Sequence, residues 1–368
     1  MLSKHKWYYV ISLIVVFVLL LGACAPKATE APPAGETPAA VQPTEEPKPE
    51  VSAPTKVNIG FIYCGPMDEP WSQAMIQAVE RVKADNPPQG LEITYKYFEN
   101  VKVDEFEKFT RNVIDSGEYD IVWFHDGCAG VDPIDNIRKD YPDEIFPVTA
   151  SNYAPVGGNT YWIQPYAHEP AYLCGVIAGM MTKTNTLGMV SAFPYASVNH
   201  LLNAFMEGAK SVNPNVTVKN SYIESWWDPV KAKETALAQI EAGADLIYSE
   251  RYGGHEAARD KGIYAFGSQA DIHELAPETV ITSALFFWDP SVRYMIELWY
   301  DHTVNGTPYN APADKPISFL MKDGGSGLAP LYEFENTLPK EVLDKLESEK
   351  QKILDGTLVV PLNLEAVE

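Results

Sequence analysis

The chain of 368 residues carries 28 Lys+Arg against 50 Asp+Glu, a formal net charge of −22. That balance excludes nucleic acid as an expected partner, because nucleic-acid binding rests on a basic footprint. Besides Cys24 there are three cysteines, Cys64, Cys128 and Cys174, with no Cys-x-x-Cys pair. A disulfide framework is not indicated and at most one bridge is open to them; the expectation is buried free thiols acting as small apolar residues.

The N-terminal stretch reads as an export signal over 1–23: Lys4 and Lys6, an apolar run over 10–21 broken only by Ser12, then Leu21-Gly22-Ala23-Cys24. The run falls short of the roughly 20 residues a membrane span needs. Leu-Gly-Ala-Cys resembles a bacterial lipobox, which implies a lipid on Cys24 and a protein held outside the cytoplasm on a membrane, at the cell surface or in the periplasm. Residues 24–55 continue as a stalk of Pro, Ala, Thr and Glu without an aromatic residue. Such a segment buries too little to fold and is kept extended by its prolines.

From Lys56 onward strands and helices alternate. KVNIGFIY (56–63) predicts a strand, and Asp68, Glu69 and Pro70 start a helix. LEITYKYF (91–98) follows, then a helix over 103–116 stopped by Gly117. YDIVWF (119–124), a helix over 131–140, IFPVTA (145–150) and NTYWIQ (159–164) complete one half. A small-residue helix over 169–183 crosses to the second half. There the rhythm repeats: TLGMVS, a helix over 198–212, VTVKNSYI, a helix from Asp228-Pro229 to Gly243, ADLIYSE, a helix over 255–261, GIYAFGS and TVITSALFF. Apolar strands alternating with helices make parallel sheets covered on both faces. Gly324-Gly325-Ser326-Gly327 reads as a turn, and 339–354 as a solvated surface helix.

In open α/β sheets, ligands sit beyond the carboxyl ends of the strands. Trp71, Phe193, Tyr195, Trp226, Trp227 and Tyr252 all follow predicted strands, and stacking a base on such a ring contributes about 1–3 kcal/mol. Asp68, Glu250 and Asp271 offer acceptors, and glycines such as Gly127 let backbone approach a ligand. An enzyme would need a nucleophile with its base or a metal set; His125-Asp126 with Cys128 fits ligand lining better, and His255-Glu256 lacks the second His of a zinc hydrolase. No catalytic residue, metal or cofactor is expected.

Over about 56–361 the chain resembles the basic membrane protein family, also called purine nucleoside receptor-like: substrate-binding lipoproteins of ABC importers. The resemblance lies in AYLCGVIAGMMTKTNTLGMVSAFP (171–194), NAFMEGAKSVNP (203–214), WWDPVKAKETALAQIEAGADLIY (226–248), AFGSQADIHELAPETVITS (265–283) and ILDGTLVV (353–360). It implies a type I periplasmic-binding-protein fold: two doubly wound parallel-sheet lobes with a hinge and an interlobe ligand cleft. Lobe 1 would be 56–166 plus about 284–317, and lobe 2 about 167–283 plus about 318–368. Partners would be a purine ligand, the permease and ATPase subunits, and the membrane through the anchor.

Carried over by position, the family's Asp-x-x-Phe-Asn pattern falls on Asp68, Trp71 and Ser72, and its second-lobe aromatic on Phe193. Of its Asp-x-Asp-Gln motif only Asp271 remains, and no Lys follows Thr282-Ser283. Trp226-Trp227-Asp228-Pro229 resembles a branch adapted to a free base, which favours adenine. Where that branch has a polar run, this chain has Glu250, Arg251 and Tyr252. The implied ligand residues are Asp68, Trp71, Ser72, Gly127, Phe193, Trp226, Glu250, Arg251, Tyr252 and Asp271. The alternatives are a sensory or adhesive lipoprotein of the same fold, or a site for another small metabolite such as a sugar.

Overall fold

Among the described residues, the apolar runs of strand length form two separate sheets, parallel but for one short edge strand. The computed structural model describes residues 52–67, 70–126, 128–149 and 156–367. The expected export signal, Cys24, nearly all of the expected stalk, Asp68, Glu69 and Gly127 lie outside the described residues. The first sheet has the order β2-β1-β3-β4-β5, from β1 (Lys56–Ile62), β2 (Glu92–Phe98), β3 (Ile121–Phe124), β4 (Phe146–Thr149) and β5 (Thr160–Ile163), all parallel. Its helices are α1 (Pro70–Ala84), α2 (Phe106–Asp115) and α3 (Val131–Asp140). The second half opens with α4 (His168–Met181) and adds β6 (Thr186–Ser191), α5 (Ala196–Val212), β7 (Thr217–Tyr222), α6 (Pro229–Glu241) and β8 (Leu246–Ser249). It continues with α7 (Gly254–Lys261), β9 (Tyr264–Gln269), β10 (Val280–Phe286), α8 (Asp289–Asn305), β11 (Ser326–Leu328), α9 (Phe334–Thr337) and α10 (Lys340–Leu354). Its sheet order is β11-β10-β9-β8-β6-β7, with β11 antiparallel to β10. Set β11 aside and the two sheets share one winding, with strand order reversing between β1 and β3 in one and between β6 and β8 in the other.

Each sheet is covered on both faces. In the first, Val57, Ile59, Phe61 and Trp123 pack with Met75 of α1 and with Val292 and Met295 of α8. Phe124 and Val148 pack on the other side with Phe106 and Ile134. The alternation follows from the pleat, which sends successive side chains to opposite faces. In the second sheet, α4 and α5 press together through glycines: a Cβ on Gly208 would lie 2.0 Å from the Tyr172 carbonyl oxygen.

Helix α8 follows a strand of the second sheet and yet packs on the first. Arg81 of α1 holds Asp289 at its start through two N–H donors, at 2.8 and 2.7 Å. The chain returns along 317–321, where Gln164 N donates to Ile317 O at 2.9 Å and Met321 N to Glu169 Oε2 at 2.8 Å. The run beyond α10 lies along α5 and β7, its backbone held by Asn199, Asn203, Asn220 and Tyr222.

Some sequence expectations change. Helix α2 begins three residues late, because Glu105 N closes a tight turn on Lys102 O at 3.0 Å. The glycines at 324 and 325 do turn, but Ser326–Leu328 then pairs with β10 as a short strand. Helix α10 buries Val342, Leu346 and Ile353 in the core of the second half, so it is solvated on one face alone. Cys64 and Cys128 are not free thiols: they form a disulfide with a Cα–Cα separation of 6.2 Å. Strand order is the reason, since β1 and β3 are sheet neighbours and the two cysteines sit just past their ends. Only Cys174 matches the expectation, fully buried with its thiol pKa pushed up by desolvation.

Candidate functional site

The order reversal in each sheet leaves a crevice at the carboxyl ends of the strands, where connections diverge to opposite faces. In the first sheet that place is the loop after β1 and the loop after β3, which the Cys64–Cys128 disulfide ties together. Trp71, in the first turn of α1, donates its indole N–H to His125 O at 3.2 Å. Its ring packs edge-on against Trp288 at 5.1 Å and Phe286 at 6.3 Å. Trp71 therefore sits against the cores of both sheets. Ser72 is fully buried, and its hydroxyl donates to Pro66 O at 3.3 Å.

Beneath them His125 is enclosed by the rings of Phe61, Tyr63, Trp71, Tyr97 and Trp288. Desolvation holds its imidazole pKa down to about 3, so it is neutral at neutral pH. Its Nε2, the Tyr97 hydroxyl and the indole N–H groups of Trp123 and Trp288 have no hydrogen-bond partner among the described residues. The Cys64 and Cys128 sulfurs and an Asp126 carboxylate oxygen lie within 4.8 Å of one another. The two sulfurs are bonded to each other, so the trio does not offer two thiolates to a metal.

The second sheet brings the expected residues together more completely. Phe193 and Tyr195 follow β6, and Trp226 lies in the loop between β7 and α6. Phe193 stacks on Tyr195 at 5.3 Å and meets Trp226 at 5.0 Å. Tyr195 and Trp226 remain exposed, Trp226 at 47%. Exposed large rings clustered at a switch point are the kind of surface that takes a flat ligand.

Glu250 and Arg251 lie beside this cluster, just past β8. The Glu250 side chain is fully buried. Its Oε2 accepts from Ala192 N at 3.0 Å and from Arg251 Nε at 2.9 Å; its Oε1 accepts from Gln269 Nε2 at 2.9 Å and from Arg251 Nη2. The carboxylate thus joins the ends of β6, β8 and β9 and fixes the guanidinium. Arg251 Nη1 donates to Trp226 O at 3.0 Å, and its guanidinium carbon lies 5.6 Å from the Trp226 ring centre. Behind it, Gly253 has φ +114, and a Cβ there would stand 2.1 Å from Pro229 O. Only glycine lets the starts of α6 and α7 approach this closely.

The remaining sequence candidates stand apart. Tyr252 packs on Trp227 at 5.4 Å and on the cluster of Ile272, Ala276 and Val280. Asp271 is exposed and accepts from His273 N at 3.0 Å and from the Tyr332 hydroxyl at 2.6 Å. Tyr332 and Gln269 were missed in the sequence. Gln269 ends β9 with a positive φ of 69°, which its residue type does not announce. A separate surface depression of about 510 Å³ lies between the later turns of α5 and residues 358–363, away from the strand ends.

Residues 56–363 match the family model described as ABC transporter substrate-binding protein PnrA-like. A purine-binding protein of Brucella abortus is 30% identical over 316 residues, covering 83% of each chain. A putative ABC transporter glucose-binding protein of Haloferax volcanii is 28% identical over 307 residues, covering 83% of this chain and 74% of that one. Among solved structures, an ABC transporter solute-binding protein of Aeropyrum pernix superposes with a TM-score of 0.66 at 16% identity, covering 83% of this chain and 94% of that one. Among the described residues no helix is long and apolar enough to cross a membrane.

Proposed function

We infer the ligand from this premise: the chain belongs to the PnrA-like family of ABC transporter substrate-binding proteins. We propose that it binds a purine base or nucleoside and delivers it to an importer's permease and ATPase subunits. The observation that carries this is the cluster of Phe193, Tyr195 and Trp226 set against the guanidinium of Arg251 at the β6/β8 switch point. Rings of this kind grip a flat heterocycle, and the anchored guanidinium supplies directed donors to its edge. The purine-binding relative supports the same ligand class.

In this proposal lobe 1 is 56–166 with about 284–317, and lobe 2 is about 167–283 with about 318–368. Three segments, 164–167, 286–288 and 317–321, run between the sheets and serve as the hinge. Ligand held by lobe 2 is covered by Asp68, Trp71, Ser72 and Gly127 of lobe 1, which shifts the equilibrium toward a closed form that the permease recognises. Trp71, already packed against both cores, is placed to respond to that closure. Glu250 acts through Arg251, and Tyr252 and Asp271 shape the rim. The protein works outside the cytoplasm, tethered through a lipid on Cys24 and the stalk.

Thermal unfolding with ligand tests this. A purine at 100 times its dissociation constant should stabilise the protein by about 2.7 kcal/mol. If adenine, guanine, hypoxanthine and their nucleosides all leave the melting temperature unmoved, the reading is wrong. Glucose belongs in the same panel, because of the Haloferax relative; a shift with glucose alone would select a sugar site.

A further inference from the structure

We propose that Arg251 makes this site selective for purines with an oxo group at C6, such as hypoxanthine and guanine, over adenine; the inference rests on the purine reading above. A guanidinium has five N–H donors in a fixed planar fork. In Arg251, Nε is used on the Glu250 carbonyl and carboxylate oxygens, Nη2 on Glu250 Oε1, and Nη1 on Trp226 O. Among the described residues these are its partners, which leaves one N–H on each terminal nitrogen.

Two features fit these donors to a neutral oxo group. First, the Arg251 charge is already met by the buried Glu250, so the site does not demand an anionic ligand. Second, the fork is held in place before a ligand arrives. Glu250 is itself pinned by Ala192 N and Gln269 Nε2, and the guanidinium is tied to the backbone of the loop that presents Trp226. A preorganised donor pair loses little on binding.

The Hoogsteen edge of a 6-oxopurine carries two neighbouring acceptors, O6 and N7, the pair that arginine recognises in guanine. Adenine keeps N7 but replaces the oxygen with an amino donor, which would set N–H against N–H. Uncharged donors could be turned to suit an amino group, but a guanidinium has no acceptor to offer. This departs from the adenine expectation attached to Trp226-Trp227-Asp228-Pro229. The difference comes from residue 251, which stands where the resembling branch has a polar run.

Calorimetric titration of the wild type with hypoxanthine, guanine and inosine against adenine and adenosine tests the inference. One bidentate pair should give the oxopurines an advantage of about 5- to 150-fold. Arg251→Lys keeps a cation beside Glu250 but removes the fork, and Arg251→Gln removes the charge; both should erase most of the preference, lowering oxopurine affinity more than adenine affinity. If the wild type binds adenine as tightly as hypoxanthine, the Arg251 inference is overturned while the purine reading stands. If no purine binds at all, the purine reading fails and takes this inference with it. Should either variant fail to fold by thermal melting, the wild-type comparison alone decides.

Discussion

Acidification from pH 7.5 to 5.5 should weaken the fold by several kcal/mol, through histidines buried in the neutral form. His125 and His200 have their pKa values held down to about 3, and His168 to about 4, each first by desolvation. His200 is further lowered by neighbouring His168, with ring centres 6.4 Å apart and the ring of Tyr166 against both. In the unfolded chain each titrates near 6.5. The unfolded state therefore takes up the protons between these values, and stability must fall as pH drops through 6.5. At pH 5.5 each histidine weakens the fold by about 1.4 kcal/mol, about 4 kcal/mol together. That is a large part of a typical 5–15 kcal/mol of total stability. His255, also lowered by burial, acts in the same direction. The half-buried carboxylates of Asp120 and Glu144 and the buried one of Glu169 have pKa values raised by desolvation and act in the opposite direction. Urea unfolding at the two pH values measures the sum, and His125→Phe should shrink it by about one third. A free energy of unfolding that is flat or rising between pH 7.5 and 5.5 would refute the reasoning.

Three further outcomes are expected. Gly208→Ala drives a methyl group into the Tyr172 carbonyl 2.0 Å away and should destabilise by about 1–3 kcal/mol or more; an unchanged denaturation midpoint would mean that α4 and α5 separate at no cost. Reducing the Cys64–Cys128 bridge, which spans 64 residues, should remove about 4 kcal/mol on the loop-entropy account. Comparison of the melting temperatures of the wild type and a Cys64→Ser/Cys128→Ser variant, with and without dithiothreitol, checks it, and no difference would contradict it. Trp226→Ala removes a ring that is 47% exposed; ligand affinity should fall by about 1–3 kcal/mol while the unliganded melting temperature barely moves. Equal affinity would take Trp226 out of the site.

The winding of this protein was legible because its grammar is local. Apolar runs of strand length, the Asp228-Pro229 start and the Gly243 stop each act within a few residues, and the structure follows them. The same grammar marks α8, with Asp289-Pro290 at its start and Gly306 after its end, but its destination on the first sheet is set by the packing of Val292 and Met295 on residues far back in the chain. The disulfide was illegible for the same reason: only strand order makes the ends of β1 and β3 neighbours. At the site, the aromatic rings could be listed from strand ends alone. The role of Glu250 could not, because the donors that saturate it come from Ala192, Gln269 and Arg251 at three different strand ends.

The most direct test of the central claim is a crystal structure of the protein purified without added ligand, read for electron density beside Phe193 and Trp226. A flat two-ring density stacked on these side chains, with its edge on the Arg251 guanidinium, is the expected result. A sugar-shaped density there, or a purine bound elsewhere on the molecule, would contradict it.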